Sequence, residues 1–266
     1  ILDALFVALF GWGLKGAAFA TVISQYIGGG LPLIYFSMPN TSFLRLCKLY
    51  FDGRALIKVC TNGSSELLSN ISMSFVSMLY NVQLLKYTGS DGVAAYGVLM
   101  SVGFIFHAIF IGYSVGVTPI IGYQYGAEDS LELKNLLKKS FILIGCFAIT
   151  MFVASLLLSI PLSFLYVGYD KNLFNMTIHA FSIFSFGFLF SGYAIFGSAF
   201  FTSLNNGLVS AIISFMRTVV FEVLAVLIFP LFWGINGIWA SIVGAEVMAV
   251  IMVLFFLAIK KKQYGY

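Results

Sequence analysis

Five polar side chains recur at helical spacing in this sequence: Glu66, Asn70, Ser74, Ser77 and Asn81. At 100° per residue they fall within an arc of about 80°, a stripe roughly four turns long on one helix face. In an apolar setting such a stripe turns toward protein or water, not lipid. Two readings stand. It lines a substrate- or ion-binding cavity, with Glu66 near mid-depth as its ionisable member; or it is helix–helix glue, since Ser and Asn hydrogen-bond across membrane helices. His107 shares a helix face with Tyr96, Met100, Gly103, Ser114 and Thr118. A face of aromatic, Met and polar groups suits a flat, lipophilic cation, through cation–π contact and adaptable packing. Imidazole titrates near neutral pH and can also relay a proton. The plain alternative is a packed core histidine with one hydrogen bond. His179 lies nearer its helix end, in line with Asn175, Ser182, Phe186 and Tyr193.

Arg217, Glu222 and Glu246 form a third constellation. With Trp233 as the tip of the last hairpin, all three lie within one helical turn of the same depth. An unpaired charge at a bilayer centre costs roughly 2.5–3.5 kcal/mol, so a structural ion pair between Arg217 and Glu246 is expected. The helical neighbours of Glu246 (Trp239, Val243, Val250 and Val253) are apolar, which favours pairing over a water-filled path. No enzyme is expected: the sequence has no Walker-type phosphate loop, no metal-ligand spacing and no Ser/His/Asp arrangement at plausible depth. Cys47, Cys60 and Cys146 imply neither a disulfide framework nor a zinc site.

The elements that must hold these groups follow from composition. Of 266 residues, 61% are hydrophobic and 9% charged, against about 25% charged in a soluble domain. That excludes a disordered tail, an ordinary cytosolic enzyme and a nucleic-acid binder, and leaves an all-α polytopic membrane protein. Residues 16–44, 67–85, 92–127, 140–169, 172–216, 223–245 and 247–259 contain no Asp, Glu, Lys or Arg. The run 172–216 is too long for one crossing, and Asn205-Asn206-Gly207 is the turn that divides it. Helices are expected near 16–37, 55–86, 93–124, 133–166, 172–203, 208–231 and 236–259, with 1–10 the end of one more. Gly28-Gly29-Gly30 with Pro32, Pro119 and Pro161 would let helices bend.

Alternating the helices puts Arg45, Lys48, Arg54, Lys58, Lys134, Lys138, Lys139 and Lys260-Lys261-Lys262 on one side. The other side receives Lys15, Lys86 and Lys171, and Arg217 is intramembrane. By the positive-inside rule the C-terminus and the loop at 38–54 are cytoplasmic. The chain opens within an apolar segment, without Met and without the basic start of a signal peptide. It is expected to be the C-terminal part of a longer protein.

Trp12-Gly13-Leu14-Lys15-Gly16 recurs as Trp233-Gly234-Ile235-Asn236-Gly237, with Gln25 opposite Glu246. Chance, added to the enrichment of Trp and Gly in membrane proteins, is one explanation; two homologous halves is the other. The stretch Leu2-Asp3 through Trp12-Gly13-Leu14-Lys15-Gly16-Ala17-Ala18-Phe19-Ala20-Thr21-Val22-Ile23-Ser24-Gln25 resembles the fifth-to-sixth helix junction of the multidrug and toxic compound extrusion (MATE) transporters. Gly116-Val117-Thr118-Pro119-Ile120-Ile121-Gly122-Tyr123-Gln124-Tyr125-Gly126-Ala127 is similar to the end of their eighth helix and the following loop. The resemblance extends over nearly the whole chain and points to the drug-efflux branch of Gram-positive bacteria.

The resemblance implies a MATE-like bundle of about seven complete transmembrane helices plus the end of an eighth. Residues 1–37 would end an N-terminal lobe (helices five and six). Residues 38–54 would be the cytoplasmic lobe linker, 55–259 a C-terminal six-helix lobe (helices seven to twelve) and 260–266 a cytoplasmic tail. The rest of the N-terminal lobe would be this chain's missing partner. The implied function is efflux of cationic lipophilic drugs across the plasma membrane by antiport with protons or sodium ions, with no cofactor and no nucleic-acid partner. The membrane lipids and a small cationic substrate are the other partners. The substrate- and ion-binding candidates are Glu66, Asn70, Ser74, Asn81, Tyr96, His107 and His179. In many members an acidic residue of the first helix couples the ion, and it would lie outside this chain. Other branches place a glutamate well along the seventh helix after a Gly-x-Pro motif. Here Gly63-Ser64-Ser65-Glu66 has no Pro, and Met73 stands about where that glutamate would fall. Two alternatives remain: a lipid-linked oligosaccharide flippase, which needs a cationic cavity where only Arg217 is available, and an inactive fragment of a transporter.

Overall fold

The computed structural model describes residues 2, 4–38 and 51–266, without the side chains of Ala4, Ala8, Asn62, Ser64, Ser65, Glu66, Leu68 and Ser69. Arg45, Lys48, Cys47 and most of the expected linker, together with the Glu66 carboxylate, therefore lie outside the described residues. The charge-free runs become long helices, because only a helix satisfies the backbone within its own segment. These are α1 (Gly13–Ser37), α2 (Gly53–Thr88), α3 (Ser90–Gly126), α4 (Ser130–Val167), α5 (Lys171–Phe184), α6 (Phe188–Ser203), α7 (Gly207–Phe215), α8 (Glu222–Trp233) and α9 (Ile235–Tyr264). A 3₁₀ turn, Ser185–Gly187, joins α5 and α6 into one span, and a π turn, Met216–Phe221, joins α7 and α8. Among the described residues six spans are long and apolar enough to cross a membrane: α1, α3, α4, α5–α6, α7–α8 and α9. The molecule is an all-α, multi-pass membrane protein.

Polar residues in the loops start the helices that follow. Asp129 accepts from the Glu132 N–H at 2.9 Å to open α4. Asp170 accepts from the Asn172 and Leu173 N–H groups at 2.8 and 3.1 Å to open α5. Asn206 accepts from the Val209 N–H at 3.3 Å, so the Asn-Asn-Gly turn also caps α7. These acceptors satisfy helix donors that have no partner within the helix.

The chain divides into two compact units, Ile1–Gly53 and Arg54–Tyr266. In the first, a π-helical turn over Ala4–Leu9 leads through Gly11 into α1, and the rings of Phe6 and Trp12 stack at 5.4 Å. The second is the bundle α2–α9, with α6 at its centre against α3, α4, α7 and α9. Its core is rich in Phe: Phe110, Phe181, Phe184, Phe188, Phe196, Phe200 and Phe201 are fully buried. Gly197 lets α6 approach α9 closely, since a Cβ there would collide with Val253. Hydroxyl bridges tie the helices further: Ser198 of α6 bonds Ser210 and Ser214 of the next span, each at 2.8 Å, and Tyr113 of α3 donates to Ser140 of α4 at 2.9 Å.

The repeated Trp-Gly motif has one local structure in both copies. Gly13 and Gly234 take φ of 52° and 56°, values that favour glycine. Three residues on, the second glycine sits against a carbonyl of the preceding helix. A Cβ on Gly16 would come 2.9 Å from the Phe6 oxygen, and one on Gly237 would collide with the Phe229 oxygen. Shared backbone conformation at equivalent junctions favours homology over chance.

The last helix runs beyond the lysines to Tyr264. Residues 260–266 do not hang free: Tyr264 accepts from Asn206 at 2.7 Å, and Tyr266 is buried against Phe200 with ring centres 5.2 Å apart. Burial pushes the Tyr266 phenol up from its ordinary range.

Candidate functional site

The charged residues meet in the interior of the second unit. Arg217, in the π turn, donates through Nη2 to Glu246 Oε1 at 2.6 Å and through Nε to Oε2 at 3.0 Å. Glu246 is 3% exposed. The pairing is bidentate, the strong geometry for a guanidinium and a carboxylate. Arg217 is thereby occupied, and is not available to a pyrophosphate-binding cavity.

The π turn explains how a second carboxylate comes to this level. In an α-helix a residue five places on lies about 140° round the axis. The wider i→i+5 turn brings it back toward the same face. Glu222, five residues after Arg217, lies within the field of both Arg217 and Glu246. It is half-buried, and the phenols of Tyr80 and Tyr96 lie in its field.

Tyr80 and Tyr96 come from α2 and α3, with their rings stacked at 5.1 Å. The Ser241 hydroxyl donates to the Ile238 carbonyl at 2.6 Å. Its proton being so used, Tyr80 is the donor in the 2.7 Å bond between the Tyr80 and Ser241 hydroxyls. Tyr80 was invisible to the polar-stripe reading because it lies off that arc, on the seam Ser72, Val76, Tyr80 and Leu84 that α2 buries at every fourth residue. The π turn likewise leaves no mark on hydropathy.

The sequence candidates divide. On α2, Asn70 and Ser74 are exposed and Ser77 and Asn81 half-buried; Ser77 hydrogen-bonds the Tyr96 phenol of α3, so the stripe is partly helix–helix contact. The face of α3 around His107 is partly packed, with Met100 and Thr118 half-buried. Tyr96, Gly103 and Ser114 are buried, and Gly103 is small because the Phe184 ring packs there, 3.0 Å from where a Cβ would sit. His107 itself is half-buried. Its Nδ1 pairs with the Gly103 carbonyl one turn back at 2.8 Å, and its ring lies 5.3 Å from that of Phe188. It also stands within the field of Glu246 and Arg217. His179 is exposed and pairs with Asn236 Oδ1 at 2.8 Å, tying α5 to the repeated motif at the start of α9. That makes it a connector at a helix end, remote in the chain from the charged level. Asn236 was noted only as part of the repeat.

Among the described residues no group of three His, Cys, Asp or Glu could hold a metal. One pocket of about 120 Å³, lined by Gln124, Tyr125, Glu128, Asp129, Gln263 and Tyr264 among others, is smaller than the roughly 300 Å³ at which drug-sized sites begin.

Comparison with known proteins bears on what such a bundle does. The MatE family model matches residues 67–228. The multidrug export protein MepA of Staphylococcus aureus strain RF122 is 22% identical over 262 residues, covering 97% of this chain and 57% of its own length. The MepA of Staphylococcus saprophyticus is 26% identical over 140 residues, 52% of this chain and 30% of its own. A crystal structure of a MATE in complex with MaL6 superposes with a TM-score of 0.90 at 20% identity, over 99% of this chain and 60% of that one. The chain thus spans less than two thirds of the length of the proteins it matches.

Proposed function

The chain belongs to the MatE family, and from that premise we propose that it forms part of a secondary exporter of lipophilic cations driven by antiport with protons or sodium ions. The observation that carries this reading is the polar stripe on α2. Asn70 and Ser74 are exposed on a helix of a membrane bundle, outside its packed seam, where polar side chains need water or protein and not lipid. Asn70, Ser74 and Asn81 would line the substrate path, with Glu66 on the same helix face. A cation would load from the cytoplasm, and uptake of the coupling ion from outside would favour its release. The charge asymmetry of ten basic residues against three puts the C-terminus in the cytoplasm.

Family members are transporters and not enzymes, and the similarity to MepA over nearly the whole chain supports the multidrug class. The occupied Arg217 disfavours the flippase reading. The test is ethidium efflux from drug-sensitive cells expressing the product of the gene that encodes this chain. Efflux above background that collapses with the ion gradient supports the proposal; retention of every cationic dye tried overturns it.

A further inference from the structure

We propose that Tyr80 is a positioning residue for transport: its phenol sets the rotation of α2 about its own axis and so holds the polar stripe toward the substrate path. This rests on the substrate-path reading of Asn70, Ser74 and Asn81 above. It names a group that stands off the stripe and contacts the other helices of the bundle.

The argument begins with how α2 is held. The helix is 36 residues long, yet among its described residues those that are buried are Ser72, Val76, Tyr80 and Leu84. From Arg54 to Ile71 every described residue is exposed. One narrow seam therefore fixes the helix to the bundle. Measured round the axis from Tyr80, the seam spans about −80° to +40°, and the stripe from Glu66 to Ser74 about +40° to +120°. Seam and stripe are adjacent sectors of one helix. One residue of rotation, about 100°, would put Asn81 where Tyr80 stands and turn the stripe into the seam.

Val76 and Leu84 do not forbid that rotation, because apolar packing has no direction. Hydrogen bonds do have direction. Tyr80 is 1% exposed and donates to Ser241 of α9 at 2.7 Å. Its ring stacks on Tyr96 of α3 at 5.1 Å with the planes 9° apart. Ser77, on the stripe side of Tyr80, hydrogen-bonds the Tyr96 phenol. Tyr87, two turns on and on the same face, reaches the Pro230 carbonyl of α8 at 3.4 Å. Tyr80 thus ties α2 to two other helices at the border between seam and stripe. A buried hydroxyl acts there as a registration key, as a single polar residue does in a coiled-coil seam. Any other rotation of α2 takes that hydroxyl from its acceptor and leaves a buried donor unsatisfied.

Positioning of this kind couples to the substrate. A cation that binds the stripe binds one rotation of α2, so it draws the helix toward that rotation. The Tyr80 bond and the ligand then favour the same state, and each makes up in part for loss of the other.

The experiment uses a cysteine-free version of the full-length product of the gene carrying nitroxide pairs on exposed residues. Met78→Cys of α2 is paired with Leu157→Cys of α4 or with Ile251→Cys of α9, and Leu157→Cys with Ile251→Cys is the control pair. Electron–electron double resonance reads the distances. One residue of rotation displaces a side chain at the surface of α2 by about 8 Å, which shows as a second distance. Tyr80→Phe keeps the ring and removes the donor. It should raise the fraction of the second distance several-fold, toward the roughly tenfold that one net hydrogen bond is worth, with the control pair unmoved. Ser241→Ala should do the same, and the double variant no more than either, because both changes remove one bond. Saturating ethidium should return Tyr80→Phe toward the parent distribution. Distances to Met78→Cys that ignore Tyr80→Phe overturn the proposal, as do a control pair that moves with them and effects of Tyr80→Phe and Ser241→Ala that add. Ethidium that binds without restoring the parent distribution also overturns it. Should the protein bind no cationic dye, the substrate-path reading fails, while the distances still decide whether Tyr80 sets the rotation of α2.

Discussion

Replacing Arg217 by Met removes the cation paired with Glu246. Both bonds to Glu246 disappear, and a carboxylate 3% exposed is left without a partner. Breaking a buried pair from one side costs about 3–5 kcal/mol, and a loss in that range is expected. Glu246→Gln is milder. The amide still accepts one hydrogen bond, and Glu222 stands ready as a substitute counter-charge, so about half the loss follows. Arg217→Met combined with Glu246→Met should recover most of it, because a well-packed apolar pair replaces a buried ion pair at little cost. Thermal unfolding in detergent reads the series. At about 2–4 °C per kcal/mol for a chain of this size, Arg217→Met falls by about 10 °C or more, Glu246→Gln by roughly half that, and the double variant lies between Glu246→Gln and the parent. A Glu246→Gln protein less stable than Arg217→Met would refute the assignment of Glu222 as a reserve partner. Single variants within about 1 °C of the parent would refute the buried pair itself.

Other outcomes follow from the same geometry. Asn70→Leu with Ser74→Leu should lower resistance to cationic dyes several-fold while the melting temperature stays within about 2 °C, surface changes being worth about 0.5 kcal/mol; growth inhibition and unfolding together check this. Gly197→Val overpacks the α6–α9 contact against Val253 and should cost about 1–3 kcal/mol, read by unfolding. Gly234→Ala places a Cβ at φ 56° and should cost about 1–3 kcal/mol. Gly28→Ala has open space and a helical site, and should be neutral or slightly stabilising.

Much of the bundle was legible because hydropathy and charge act locally. The helix expected at 55–86 runs Gly53–Thr88, and the one at 133–166 runs Ser130–Val167, its start set by the Asp129 side chain that caps it. The last helix was read five residues short, since lysines leave the bilayer without ending a helix, and Gly265 in the left-handed region is what stops it. The common depth of Arg217, Glu222 and Glu246 was legible from the hairpin tip at Trp233. The π turn between Arg217 and Glu222 was not, because it is a change of hydrogen-bond register that leaves apolarity untouched. His107 is the converse case. Helical periodicity put it on a polar-looking face, but Gly103 on that face is small because the Phe184 ring of another helix presses there. Periodicity within one helix cannot carry that information, which resides in the partner helix.

The central claim, export of lipophilic cations at the expense of an ion gradient, is tested most directly in proteoliposomes. The purified full-length product of the gene is loaded against ethidium with an imposed proton or sodium gradient and no nucleotide. The account predicts dye movement against its own gradient when the ion flows the opposite way, and none once an ionophore collapses that gradient. Dye movement that persists without any ion gradient, or no movement under either ion, would contradict it.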